Sequence, residues 1–349
     1  MTTHPVRARV PLPEISSRAW EHPADKGALV ALRRLKGFDT IIKRISGLFN
    51  ERALRLMYLG SSVRVDDRQF PRLHVLLAEA AAGLDAREVP ELYVMNDPMP
   101  NALTIGMDKP FIVVTSGLLS LLDEEETRFV LAHEVGHALS GHAVYQTLLV
   151  RLINLTGGLG LFAFALGIRL IIAALMEWSR KAELSADRAG LLSTQDPAVA
   201  FRVQMKLASG GDLPQLDSTS FFAQGAEYES TGDLRDSLLK LLLLERRSHP
   251  FAVVRATELR RWVDSGAYTR ILSGDYPRRE DDDTADVSEA AQEAARSYAE
   301  TFRQSQDAVT RLVRDFSGVA SSVRDWVGTT FGPRPDGNDN GKDAGSTPD

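Results

Sequence analysis

Apolar residues along this chain recur at helical spacing in some stretches and gather into short β-rich runs in others, and these changes divide it into segments. From Gly27 to about Gly60, Leu29, Leu32, Phe38, Ile41, Ile42, Ile45, Leu48 and Phe49 fall at helical spacing, which predicts one or two amphipathic helices. Residues 70–82 predict another helix, ending near Gly83. After Pro90 the texture changes. Residues 92–95, 102–105 and 111–115 are short β-rich runs separated by Pro, Asn, Asp and Gly, and they predict three strands of a small sheet. A helical turn over 116–122 follows. Asp123 is then a good N-cap, with Glu124, Glu125 and Glu126 where acidic groups favour the positive end of a helix. This helix is expected to continue past His142 to about Leu155, where Gly157 and Gly158 interrupt it.

Residues 160–176 are almost wholly apolar apart from Arg169, and charge returns at Glu177, Arg180 and Lys181. The uninterrupted stretch 152–168 only just reaches the roughly 17–25 residues that a bilayer-spanning helix needs, and it contains Asn154, Thr156 and two adjacent glycines. A helical hairpin over 145–178 that is buried or touches a bilayer fits at least as well, which leaves membrane-surface contact through 152–176 open. Its second half runs into residues 182–190 without a breaker. Helical patterns recur at 197–208 and 234–245, separated by a polar, Gly/Ser-rich loop over 209–225, and Ser248-His249-Pro250 starts a helix that carries Arg255 and ends near Gly266.

The pattern predicts an α+β, mostly helical chain: a flexible N-terminus over 1–26, then a domain over 27–270 with its motifs in 90–265. An acidic linker over 271–286, marked by Asp281, Asp282 and Asp283, leads to an amphipathic helix over 287–331 and a disordered tail over 332–349. In that last helix Phe302, Val309, Leu312, Phe316, Val319, Val323 and Trp326 form a coiled-coil-like seam, which leaves open docking in cis or on a partner.

Composition narrows the chemistry. The 349 residues are 44% hydrophobic, enough for a sizeable core, and include no cysteine, so neither a disulfide framework nor a thiolate metal site can form. Met1 to Pro13 is polar and proline-rich without an apolar core segment, so a secretory signal peptide is not expected and cytoplasmic residence is, with membrane association left open. Lys36, Lys43 and Arg44 make the first helical stretch basic, as a solvated face or an anionic membrane surface would require. A net charge of −6, without a Lys/Arg stripe interleaved with aromatics, argues against a nucleic-acid partner.

The candidate chemistry lies at 133–137, His-Glu-Val-Gly-His. On a helix His133 and His137 project from one face, close enough to bind one metal ion, and Glu134 lies between them as a proton acceptor for a metal-activated water. Zinc suits two neutral imidazoles, but a catalytic zinc takes three protein ligands. A third histidine in the pattern HExxHxxGxxH would need glycine at Ser140 and histidine at Ala143, so His142 misses the register by one and is assigned a structural or surface role. Glu183 lies on the helix that the hairpin brings back beside the first. Its neighbours Ala182, Leu184 and Ala186 favour burial, where an unpartnered charge is costly.

The run Pro100-Asn101-Ala102, the HEVGH helix, Glu183-Leu184-Ser185-Ala186-Asp187 and His249-Pro250 with Arg255 resemble, in order and approximate spacing, the HtpX-like and CAAX prenyl protease family of zinc metallopeptidases, which are gluzincins. The resemblance covers roughly residues 70–265. It implies that His133, His137 and Glu183 hold one zinc ion, that Glu134 is the catalytic base, and that Asp187 accepts a hydrogen bond from a ligating histidine. It also places His249 and Arg255 near the site. His249 would donate to the oxyanion or occupy the open metal position in a latent form; Arg255 would fix an active-site carboxylate. Apolar spans like those of the membrane-embedded members do not precede HExxH here, so their membrane location is not expected to carry over. The expected activity is endopeptidase cleavage of extended or unfolded polypeptides, in protein quality control, with residues 102–105 as an edge strand that pairs with substrate and Asn101 and Ala102 beside the cut. The alternative is a non-catalytic zinc-containing chaperone or scaffold that recruits partners through its C-terminal helix, and the intact Glu134 counts against it.

Overall fold

The short β-rich runs pair into a sheet whose order leaves one strand at an edge beside the HEVGH helix. In this computed structural model, which describes residues 8–33, 51–158, 165–230, 251–284 and 291–296, the strands are β1 (Val63–Arg64), β2 (Leu92–Met95), β3 (Ala102–Ile105) and β4 (Phe111–Thr115), in the order β1-β2-β4-β3. β2 and β4 run parallel with Val94 opposite Val114, while β3 is antiparallel to β4 with Ala102 opposite Val114. Every residue of β4 is buried, as its unbroken apolar run requires of a central strand. The three expected strands form, and a two-residue β1, too short to leave a period in the sequence, adds a fourth.

Among the described residues the α-helices are α1 (Pro23–Arg33), α2 (Glu51–Ser61), α3 (Pro71–Gly83), α4 (Ser116–Leu121), α5 (Glu124–Leu139), α6 (His142–Gly158), α7 (Ala165–Thr194), α8 (Pro197–Ser209), α9 (Ser218–Ser230), α10 (Ala252–Asp264) and α11 (Ala267–Leu272). α5 starts with a capping box: Glu126 N–H donates to the Asp123 carboxylate and Asp123 N–H donates to Glu126, both at 2.9 Å. The helix does not continue through His142 as the pattern predicts. Gly141 takes φ +70°, a left-handed conformation that ends a helix and is cheap for glycine alone, so α6 sets off in a new direction with His142 at its first position.

α5 packs along α7, and small side chains set their separation. A Cβ added at Gly136 would lie 2.5 Å from Ala189 Cβ, and one at Gly190 would lie 2.9 Å from the Phe129 ring. This close approach carries the Glu183–Asp187 turn up to the HEVGH turn. The main core joins Leu76 and Leu77 of α3, Ile112 and Val114 of β4, Leu131 and Val135 of α5, and Leu191 and Val203 of α7 and α8. A second cluster puts Ala28 and Leu32 of α1 against Leu148 and Leu152 of α6 and Leu175 and Trp178 of α7. The described part of the apolar hairpin is thus covered on one side by α1. Among the described residues, no helix is long and apolar enough to cross a membrane.

Three further expectations need correction. Residues 8–26 are not a flexible lead: Leu12, Ile15 and Trp20 are buried, and Ser16 N–H donates to Pro277 O at 3.0 Å beside a bridge between Ile15 and Arg278. The acidic linker is consequently not free over 276–282, because Arg279 pairs with Asp85 and Glu14, and Asp282 accepts from Ser16 Oγ at 2.6 Å. Neither segment has a core pattern of its own, and each is ordered by the other. The loop over 209–225 contains the start of α9, whose Phe221 and Phe222 pack against Met205, Phe201 and Ala256. The chain divides into two units, Met1–Phe302 and Arg303–Asp349, and all described residues belong to the first. The helix expected at 234–245, most of that at 287–331 and the tail at 332–349 lie outside the described residues. Residues 291–296 are helical, and Gly27 lies directly against Ala294 and Ala295.

Gly136→Val should push α5 off α7. Overpacking costs about 1–3 kcal/mol, against a helix-propensity gain of well under about 1 kcal/mol. A urea unfolding midpoint equal to wild type would show that the two helices have room to spare.

Candidate active site

The last two turns of α5 present His133, Glu134 and His137, all buried, to α7 and β3. His133 Nε2 and His137 Nε2 are 3.1 Å apart. From α7, Glu183 places Oε1 3.3 Å from His137 Nε2 and Oε2 3.4 Å from His133 Nε2. The three side chains each offer a ligand atom within 4.8 Å of the others, so they could hold a metal ion. One turn further along α7, Asp187 accepts from His133 Nδ1–H at 3.1 Å, which orients the ring so that Nε2 faces His137 and Glu183. Arg255 of α10 donates to Asp187 through Nε at 2.7 Å and Nη2 at 2.5 Å, and Nη1 lies 3.1 Å from Glu183 Oε2. Gln204 of α8 donates to Asp187 at 3.1 Å. The site is therefore assembled from α5, α7, α8 and α10.

Burial sets the electrostatics. It works against charge on His133, yet the bonds to Asp187 and Glu183 prevail and raise that imidazole to about 9. In His137 burial prevails, and the pKa falls to about 4. Burial pushes Glu134 up to about 7, against the opposing pull of His133 and the Thr104 hydroxyl. Burial also works against ionisation of Asp187, but the Arg255 guanidinium holds its carboxyl below the usual range. The donor chemistry fits a divalent cation of intermediate softness: two imidazole nitrogens and one carboxylate converge with no thiolate, and one imidazole has its tautomer held by a carboxylate behind it.

Glu134 turns to the sheet. Thr104 Oγ1 of β3 donates to Glu134 Oε2 at 2.6 Å. Thr104 is absent from the sequence-derived site, although strand alternation could have found it, because Ala102 and Thr104 share the face opposite Leu103. Asn101 and Ala102 line the same cleft of about 770 Å3, with His133, Glu134 and Arg255 at its polar end and Phe129, Phe221 and Phe251 among its apolar walls. The backbone of Asn101 is committed to β4, its N–H donating to Thr115 Oγ1 at 2.9 Å. His142 is buried behind His137, with its Nδ1 3.0 Å from His137 Nδ1 and its Nε2 3.0 Å from Asp25 Oδ2, and it lies outside the converging set. Neither Asp25 nor Gln204 had any signal in the sequence. His249 lies outside the described residues.

The sequence model of Peptidase family M48 matches residues 67–263, which contain both histidines, Glu134, Glu183, Asp187 and Arg255. The chain belongs to peptidase family M48. It is 37% identical over 265 residues to the plastoglobule-localized metallopeptidase 48, chloroplastic, of Arabidopsis thaliana, a match covering 74% of this chain and 76% of that protein. A protease HtpX homolog of Tropheryma whipplei is 31% identical over 159 residues, covering 38% of this chain and 55% of that protein. Another, of Dictyoglomus thermophilum, is 42% identical over 82 residues, covering 23% of this chain and 26% of that protein. No solved structure matches the chain significantly. Membership makes the protein a metal-dependent protease, and it agrees with the family likeness carried by the HEVGH and Glu183–Asp187 motifs.

Arg255→Met would leave Asp187 and Glu183 without their buried cation. Removing one partner of such a cluster costs about 3–5 kcal/mol, and Arg255→Lys should recover little because it lacks the planar fork. Chemical denaturation checks this; a loss below about 1 kcal/mol, the scale of an exposed pair, would place the carboxylates in water.

Proposed function

We propose that the protein is a zinc metalloendopeptidase that cleaves extended or unfolded polypeptides. The observation that carries this is the position of Glu134: its carboxylate is buried next to the His133–His137–Glu183 donor set and bonded to the edge strand β3. When held by His133, His137 and Glu183, zinc supplies a Lewis acid that polarises a carbonyl and makes water acidic near neutrality. Glu134 takes a proton from the attacking water and delivers it to the departing amine nitrogen. Burial, which raises this carboxyl in the metal-free protein, suits it to both steps, because a more basic carboxylate takes up the proton more readily. Arg255 keeps Asp187 ionised, and Asp187 holds His133 Nδ1–H so that Nε2 points toward His137 and Glu183.

Specificity for extended chain is supported by the sheet order. β3 pairs only with β4 among the described residues, so its outer edge can accept a substrate backbone as one more strand, with Asn101 and Ala102 at the entry to the cleft. Main-chain bonding reads conformation more than sequence, which suits a role in protein quality control. Contact with a membrane surface through 152–176 is supported by Ile153, which is exposed on α6 together with the preceding Val150. A non-catalytic scaffold would have no use for a buried Glu134 held by a strand hydroxyl.

Glu134→Gln should retain one zinc per chain and lose cleavage of an unfolded casein-like substrate by at least about 10²–10⁴-fold, the usual worth of a general base; proteolysis at the wild-type rate would overturn the mechanism. For the ligands, Glu183→Ala is expected to lose its metal on dialysis, while His142→Ala still holds one zinc at saturating metal. The reverse outcome, read by elemental analysis, would reject the ligand set.

A further inference from the structure

Behind His137, a second hydrogen-bonded chain leads away from the metal-binding face and ends on a carboxylate of the N-terminal helix α1. His137 Nδ1 meets His142 Nδ1 at 3.0 Å, and His142 Nε2 meets Asp25 Oδ2 at 3.0 Å. All three side chains are buried. Asp25 lies in the first turn of α1, which is held in place on α7 by Leu32 and Ala28 packing on Trp178 and by His22 N–H donating to Ser185 Oγ at 2.9 Å. Ser185 Oγ donates in turn to Asp25 Oδ2 at 2.6 Å, and Trp178 Nε1–H donates to Asp25 Oδ1 at 3.0 Å. Burial works against ionisation of Asp25, but the His142 and Ser185 contacts prevail and keep its pKa below the usual range.

These contacts decide where the protons sit. Two facing Nδ1 atoms can bond only if one carries a hydrogen and the other a lone pair. Asp25 accepts from His142 Nε2–H, so the His142 Nδ1 lone pair faces His137. With His142 neutral, His137 donates from its own Nδ1 and its Nε2 is left bare toward His133 and Glu183; the Gln146 carboxamide, 3.4 Å from the same Nδ1, then presents its oxygen there. We propose that Asp25 and His142 are positioning residues that fix the tautomer and ring orientation of the ligand His137, so that docking of α1 completes the metal centre. Each histidine of the HEVGH turn is thereby backed by a carboxylate, His133 directly by Asp187 and His137 by Asp25 through a histidine relay. Such partners usually govern about 10–100-fold in metal affinity. The proposal rests on the zinc site put forward above.

The test uses the full chain and the zinc dissociation constant measured by competition with a chromophoric chelator, together with thermal unfolding of the metal-free protein. His142→Leu is expected to weaken zinc by about 10–100-fold, and His142→Gln, whose side-chain oxygen can accept from His137 Nδ1–H, to recover most of that loss. Trp178→Phe removes one bond to Asp25 but leaves the relay in place, so it should lower thermal stability without a comparable loss of affinity. Because His142→Leu strands the Asp25 charge, the double variant Asp25→Asn, His142→Leu is measured beside it and should bind zinc as weakly. If wild type binds one zinc tightly and every variant matches it, the relay is overturned while the metal site stands. If affinity instead follows thermal stability alone across the set, the role of His142 is structural and the proposal fails. A wild-type protein that binds no zinc would overturn the metal site and the relay together.

Discussion

Burial of ionisable groups at the junction of α5, α7 and α10 is the constraint that organises this protein. His133, Glu183, Asp187 and Arg255 all lie out of water, where an unpartnered charge would cost about 3–5 kcal/mol, a large share of the stability of an ordinary domain. Each has its charge or its hydrogen bonds matched by another member of the group. Arg255 binds both carboxylates, and Asp187 passes that restraint to an imidazole. Lone pairs that would otherwise be satisfied by solvent are thereby aimed at one point between two helices. The same dry setting raises Glu134 into the range where a carboxyl can both take and return a proton.

That cluster depends on how closely two backbones approach. α5 and α7 meet through Gly136 against Ala189 and Gly190 against Phe129, contacts with no room for an added side-chain atom. Larger residues there would push the histidines of α5 away from Glu183 of α7. Core packing of the ordinary kind, Leu131 and Val135 against Leu191 and Leu192, supplies the apolar burial that holds the pair together. The sheet contributes a second restraint from the other side, since Thr104 ties the Glu134 carboxylate to the edge strand β3.

Segments that look peripheral in the chain turn out to complete this arrangement. The stretch from Leu12 to Trp20 is closed against 276–282, and α1 covers the apolar faces of α6 and α7 while its Asp25 reaches the back of the site. Trp20 extends the link, donating from Nε1 to Ser140 Oγ at 3.1 Å where α5 ends. Mechanical continuity thus runs from the N-terminal segment to the turn that ends the HEVGH helix.

Local chemistry was enough to read much of this from the amino acids. Short β-rich runs bounded by turn residues placed β2, β3 and β4, the Asp123 cap placed the start of α5, and helical spacing alone put His133 and His137 on one face with Glu134 beside them. Glu183 and Asp187 were legible as a pair because they too are one helical turn apart and sit among small apolar residues. What tertiary structure decided is everything that depends on contacts between distant segments. The break at Gly141 turns His142 back behind His137, Thr104 acquires meaning only when β3 lies against α5, and Asp25 becomes part of the site only when α1 docks more than a hundred residues away in sequence. Periodicity reports which face of an element is buried and says nothing about which other element buries it. A polar side chain that is satisfied across the fold therefore looks, in sequence, like any solvated one.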